Sequence, residues 1–214
     1  MPREYSQFEL NVRSALAINK VLLFVLICLF TFLLLYLKKN FVYDEIAAFR
    51  FMDLKKLAMY DLQAYLQYVT IPIVYAWKFS LIAFAIWVGS FLWGYRVTYK
   101  QCWKIVMIAE LVFFVPEVIK ILWFTLVDNN PTYWDVQSFY PLSFMNFFSH
   151  EAVAEKYWYP NMSINVFELL YWAALTYGVD FAARKKKRIA NYIVFTSYVP
   201  LFLLWLWFYI LVYE

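Results

Sequence analysis

Residues 108–124 read IAELVFFVPEVIKILWF, an apolar run of helix length that carries Glu110, Glu117 and Lys120 around Pro116. In water this would be a core helix with an odd charge pattern. In lipid each charge is expensive and needs a partner or a wet cavity. Composition decides the solvent: of 214 residues, 65% are hydrophobic and 24% aromatic, and mean hydropathy is +0.59, whereas a soluble domain is roughly half apolar. The chain reads as an all-α, polytopic membrane helix bundle in which residues 1–214 form a single integral membrane domain.

Working outward, apolar runs of spanning length, about 20 residues each, place five transmembrane helices near 21–37, 71–94, 102–126, 164–183 and 191–213. The first, VLLFVLICLFTFLLLYL, exceeds a signal-peptide core, and KKNF follows it without a small-x-small cleavage pattern, so it is expected to remain as a span. Lys and Arg gather in the amino-terminal tail, around the second loop and in the hairpin Arg184, Lys185, Lys186, Lys187 and Arg188. The positive-inside effect then predicts a cytoplasmic amino terminus and an outer carboxyl terminus, against the vote of Lys38 and Lys39. Because the formal charge of +4 sits at the ends of apolar runs, it marks topology and not nucleic-acid binding.

Two loops carry patterns of their own. In loop one, Leu54, Ala58, Leu62, Tyr65 and Val69 recur at helical spacing, which predicts an interfacial helix over about 44–69, lying along the outer surface or capping the bundle. Loop three, residues 127–163, holds Trp134, Phe139, Tyr140, Phe144, Phe147, Phe148 and Trp158. Such rings make an aromatic belt at the headgroup layer or a docking surface for a partner. Within it, PLSFMNFF predicts a short interfacial helix opened by Pro141. Asn161-Met162-Ser163 matches a glycosylation sequon.

The tail of the chain, INVFELLYWAALTYGVDFAARKKKRIANYIVFTSYVPLFLLWLWFYILVY, together with the preceding FYPLSF, resembles the carboxyl-terminal half of bacterial Yip1-like membrane proteins. The matching positions are Pro141, Leu142, Ser143, Asn165, Phe167, Glu168, Tyr177 and Gly178. The resemblance implies five spans, a cytoplasmic amino terminus, a bacterial cytoplasmic (inner) membrane and a non-catalytic role. Small-GTPase binding, which the resemblance would place on a long amino-terminal region, is not expected.

At about 1.5 Å per residue, Glu117 and Lys120 lie roughly 14 and 9 Å below the outer end of the third span, Lys78 about 10 Å and Glu168 about 6 Å below the same face. These four are expected to form one polar network, with Glu117 and Lys120 paired at i to i+3. Glu110, nearer the inner end, has no evident basic partner in the sequence. It reads as a protonated, hydrogen-bonded carboxyl or as a proton site. Asp180 and Arg184 stand four residues apart at the inner interface.

Catalytic chemistry is poorly served. The one histidine, His150, lacks the partners of a zinc site, Ser149 has no positioned base, and three glycines build no phosphate loop. No enzyme activity, cofactor or metal is expected. Cys28 and Cys102 suggest no disulfide. Two function classes follow: an accessory or scaffold subunit of a larger membrane complex, or a small transporter or channel using Lys78, Glu110, Glu117, Lys120 and Glu168. The implied partners are the lipid bilayer and another membrane protein or a second copy of the chain. Against transport, five spans enclose little volume.

Overall fold

The computed structural model describes residues 18–44, 46, 54–128, 130–183 and 187–213. Among these no β-strand forms, and three helical stretches, Lys20–Tyr43, Leu62–Leu92 and Ile189–Val212, are long and apolar enough to cross a membrane. The molecule is all-α.

Helix α1, Lys20–Lys38, starts where the Asn19 side chain accepts from the Val21 amide and runs on into a π-helical turn, Lys39–Tyr43. Helix α2 spans Leu54–Leu92. The interfacial helix expected over 44–69 is therefore no separate element, since its described part continues without a break through Pro72 into the second apolar run. Residues 47–53 lie outside the described set. A turn at Gly94, where φ is 72°, ends this arm.

Helix α3, Tyr99–Glu110, is opened by a capping box between Thr98 and Gln101. It tightens into a 3-10 turn, Leu111–Phe113, before α4, Phe114–Leu126. The break has a local cause. Pro116 donates no N–H, and its ring crowds the carbonyl one turn earlier, so a helix is interrupted before it and restarts with proline in its first turn.

The aromatic loop folds into α5, Tyr133–Ser138, three 3-10 turns and α6, Trp158–Ser163. Where PLSFMNFF predicts a helix from Pro141, the chain instead turns at Leu142, with φ 53°, and makes a 3-10 turn over Phe144–Phe147. Main-chain bonds Phe144 N to Ile164 O and Val166 N to Leu142 O hold this loop against the start of α7, Val166–Ala183. Asn165 caps that start: its Oδ1 accepts from the Glu168 amide at 2.8 Å and its amide donates to Met162 and Ser163 carbonyls. The last helix, α8, is Lys187–Val212. Arg184, Lys185 and Lys186 lie outside the described residues, whereas Lys187 and Arg188 open α8.

Ile27, Phe79, Ile86, Val106, Tyr171 and Ile193 form the buried centre of one core contributed by α1, α2, α3, α7 and α8. In lipid, helix association rests on close packing more than on water exclusion, and two glycines show how close. A Cβ on Gly89 would stand 2.8 Å from that of Ser197, joining α2 to α8, and one on Gly178 would stand 2.5 Å from Ile105 Cγ2, joining α7 to α3.

Candidate functional site: a charge-lined cavity

Beyond the Gly89–Ser197 contact, α2 and α8 line a cavity of about 850 Å³ together with faces of α1, α4 and α7. The loop residues Gln137, Tyr140, Tyr159 and Met162 cover one end. Where little enclosed volume was expected, the helices leave a space within the size range of small-molecule sites, open on the side of Trp77, Leu204 and Phe208. All five charges singled out from the apolar runs of the sequence line it, and Lys38 joins them.

Their pairing differs from expectation. Lys78 Nζ lies 2.6 Å from Glu110 Oε1 and 4.9 Å from the centroid of Phe113, so Glu110 has a basic partner after all. The cause is register. Counting depth from Ile71 put Lys78 near the outer face, but α2 begins at Leu54, which leaves Lys78 midway along its spanning stretch, Leu62–Leu92. Only one Glu110 oxygen is matched. Its Oε2 is buried with no hydrogen-bond partner among the described residues, as is the hydroxyl of Tyr171 nearby.

Toward the aromatic loop, Glu117 pairs with Lys38 Nζ at 2.9 Å and not with Lys120. Lys120, 5% exposed, donates instead to the Phe139 carbonyl at 2.7 Å. The expected Glu117–Lys120 pair and the single four-residue network are thus replaced by two centres, Lys78–Glu110 and Lys38–Glu117, with Lys120 beside the second. Glu168 belongs to neither ion pair: its Oε1 accepts from Trp172 Nε1 at 2.8 Å and from the Tyr198 hydroxyl at 2.7 Å. Two ammoniums therefore face one carboxylate at the loop end, and one ammonium faces two carboxyl groups at the deeper end.

Lys38 and Tyr198 were not singled out from the sequence. Lys38 had a signal: with Ile27, Thr31 and Leu34 it falls on one α1 face by helical spacing, and Ile27 and Leu34 are buried while Thr31 bonds the Tyr75 hydroxyl at 2.9 Å. Reading Lys38 as a topology marker hid this. Tyr198 had none beyond lying in an apolar helix.

A second, polar cavity of about 250 Å³, lined by Lys39, Tyr60, Gln63 and Gln67, shares Leu35, Lys38 and Gln137 with the first. Lys38 thus lies on the wall the two cavities share, with its partner Glu117 on the side of the first.

In the aromatic loop, Phe139 stacks on Trp123 and meets Phe124 edge-on, Tyr140 lines the cavity, and Trp158 donates to the Val153 carbonyl at 2.8 Å. Trp134, Phe144, Phe147 and Phe148 remain exposed, Phe147 at 81%. His150 Nδ1 stands 3.4 Å from Asp135 Oδ1. Burial tends to raise the Asp135 carboxyl, but hydrogen bonds from Thr132 and the neighbouring His150 hold it below the usual carboxylate range. Among the described residues no three His, Cys, Asp or Glu side chains are grouped to hold a metal. Comparison with family models, curated proteins and solved structures finds no match for this chain.

Proposed function

We propose that the chain is an integral membrane protein of five crossings that binds a small charged molecule in its cavity and passes it between the bilayer and one aqueous face. The fourth and third crossings would be α7 and the composite rod of α3 and α4. The carrying observation is the convergence of Lys38, Lys78, Glu110, Glu117, Lys120 and Glu168 on one cavity of about 850 Å³. A clamp between helices needs paired charges in a packed seam, not an open volume with a carboxylate oxygen and an ammonium left undermatched.

Thermal unfolding of the purified protein against zwitterions, anions and amphiphiles tests this. One class is expected to raise the midpoint of the wild type and to leave the Lys78→Met/Glu110→Leu protein unmoved. That double variant should itself be no less stable, because removing both partners of such a pair is neutral or stabilising by about 1–4 kcal/mol, whereas Lys78→Met alone, which leaves the buried Glu110 unmatched, should cost about 3–5 kcal/mol. If no compound shifts the wild type, and the double variant merely gains stability, the charges are a clamp and the proposal fails.

The exposed Leu142, Phe144, Phe147 and Phe148 favour a second reading, an accessory subunit that docks another membrane protein on this loop. A stoichiometric partner recovered with the wild type and lost from a variant with these four changed to Ser would support it.

A further inference from the structure

We propose that the cavity receives a phosphate-bearing lipid headgroup, with the phosphate on Lys120 and Lys38 and the acyl chains leaving between α2 and α8. This rests on reading the cavity as a binding site and names its ligand class.

The anion site comes from unmet charge. An ammonium carries three donors, and Lys120 spends one on the Phe139 carbonyl while 5% exposed. The nearby carboxylate of Glu117 is already bonded to Lys38. A buried ammonium answered by one neutral acceptor and a shared carboxylate is costly, and a phosphate supplies both the missing negative charge and several acceptor oxygens. Lys38 is the last residue of α1 and Lys120 lies about 9 Å inside the end of α4. A headgroup phosphate at the membrane boundary therefore reaches both by sinking one to two helical turns.

The lipid source comes from the walls. Val74, Trp77 and Leu81 of α2 and Leu201, Leu204 and Phe208 of α8 line the cavity, yet Trp77 is 70%, Leu204 59% and Phe208 54% exposed. Cavity and bilayer thus share this side, so apolar chains can pass through it without meeting water. A soluble phosphate compound entering from the polar second cavity would meet Lys38, already paired with Glu117, at the wall the two cavities share.

The full chain, delipidated in a detergent without charge, would be titrated with phosphatidylglycerol and with diacylglycerol of the same chains, read by native mass spectrometry, and with inorganic phosphate, read by thermal unfolding. One phosphatidylglycerol should be retained. Lys120→Met should weaken it by about tenfold to a hundredfold, the size of a charge-assisted hydrogen bond, while Lys100→Met, an exposed lysine at the far end of α3, leaves it unchanged. Diacylglycerol and free phosphate should bind far more weakly. Lys120→Gln carries the same expectation if the Met variant cannot be recovered.

Phosphatidylglycerol binding that ignores Lys120 would overturn the anion site, as would equal binding of diacylglycerol. Stabilisation by inorganic phosphate with the same Lys120 dependence would overturn the lipid source in favour of a soluble anion. If none of the three probes binds while another compound gives the Glu110-dependent shift described above, the ligand class is wrong and the binding site stands.

Discussion

A carboxylate buried among apolar helices is tolerable only where its charge is answered at hydrogen-bond distance, and Glu110 meets that condition with one oxygen and not the other. The same incompleteness recurs at Lys120, so both ends of the cavity hold polar atoms in reserve. Which residues would matter was legible in the sequence, because charge inside an apolar run is conspicuous. Who pairs with whom was not. Pairing depends on axial register between helices, and an apolar run marks where hydrophobicity starts, not where the helix does. Lys78 and Glu110 were separated for that reason alone. In the aromatic loop, the Thr132–Asp135 capping box allows a direct check. The folded carboxyl sits below its ordinary pKa, so its contribution to the cap is fully present above the unfolded value and fades as pH falls through the lower, folded one. A carbon-13 carboxyl titration should place the Asp135 midpoint below that of an unstructured aspartate, and Thr132→Val should move it upward. A midpoint unaltered by Thr132→Val would show that the cap hydrogen bonds do not hold the charge.

At the level of elements, the helical type was readable, but five spans were expected where three helical stretches among the described residues have spanning length and hydropathy, and faces were not readable. A helix in lipid is apolar on the side that meets the core and on the side that meets the bilayer, so the periodicity that orients a soluble helix is flattened. The two glycine contacts supply the missing orientation information. Ile105 is 2% exposed and branched at Cβ, so it cannot swing aside from a new methyl at residue 178 without changing rotamer. Gly178→Ala should therefore lower stability by about 1–3 kcal/mol, measured by thermal or denaturant unfolding in detergent. Adding Ile105→Ala should recover part of that loss. An unchanged midpoint in the single variant would mean that α3 and α7 stand farther apart than described. The break at Leu111–Phe113, by contrast, followed from Pro116 and was open to sequence reasoning.

For the whole molecule, the aromatic loop leads into the start of α7, and the end of α7 at Ala183 lies about 27 Å further along that helix. By the positive-inside effect the basic run 184–188 is expected on the cytoplasmic side, and labelling tests that expectation. With Cys28 and Cys102 replaced by alanine, Phe147→Cys should react with a membrane-impermeant maleimide added to intact cells, and Lys100→Cys should react only after lysis. The reverse pattern would invert the orientation. The cavity itself could not be foreseen, because volume between helices arises from the angles at which they cross, and no local pattern encodes those.

The contact at Gly89 and Ser197 gives that angle a mechanical meaning. Val74 and Trp77 are twelve to fifteen residues from Gly89 along α2, an arm of roughly 18–22 Å. Over such an arm a tilt of about 5° at the crossing moves the far end by roughly 2 Å, about the radius of a methyl group. In the proposed binding mode the crossing would act as a fulcrum, the gap between α2 and α8 being set by one glycine and one serine that do not line the cavity.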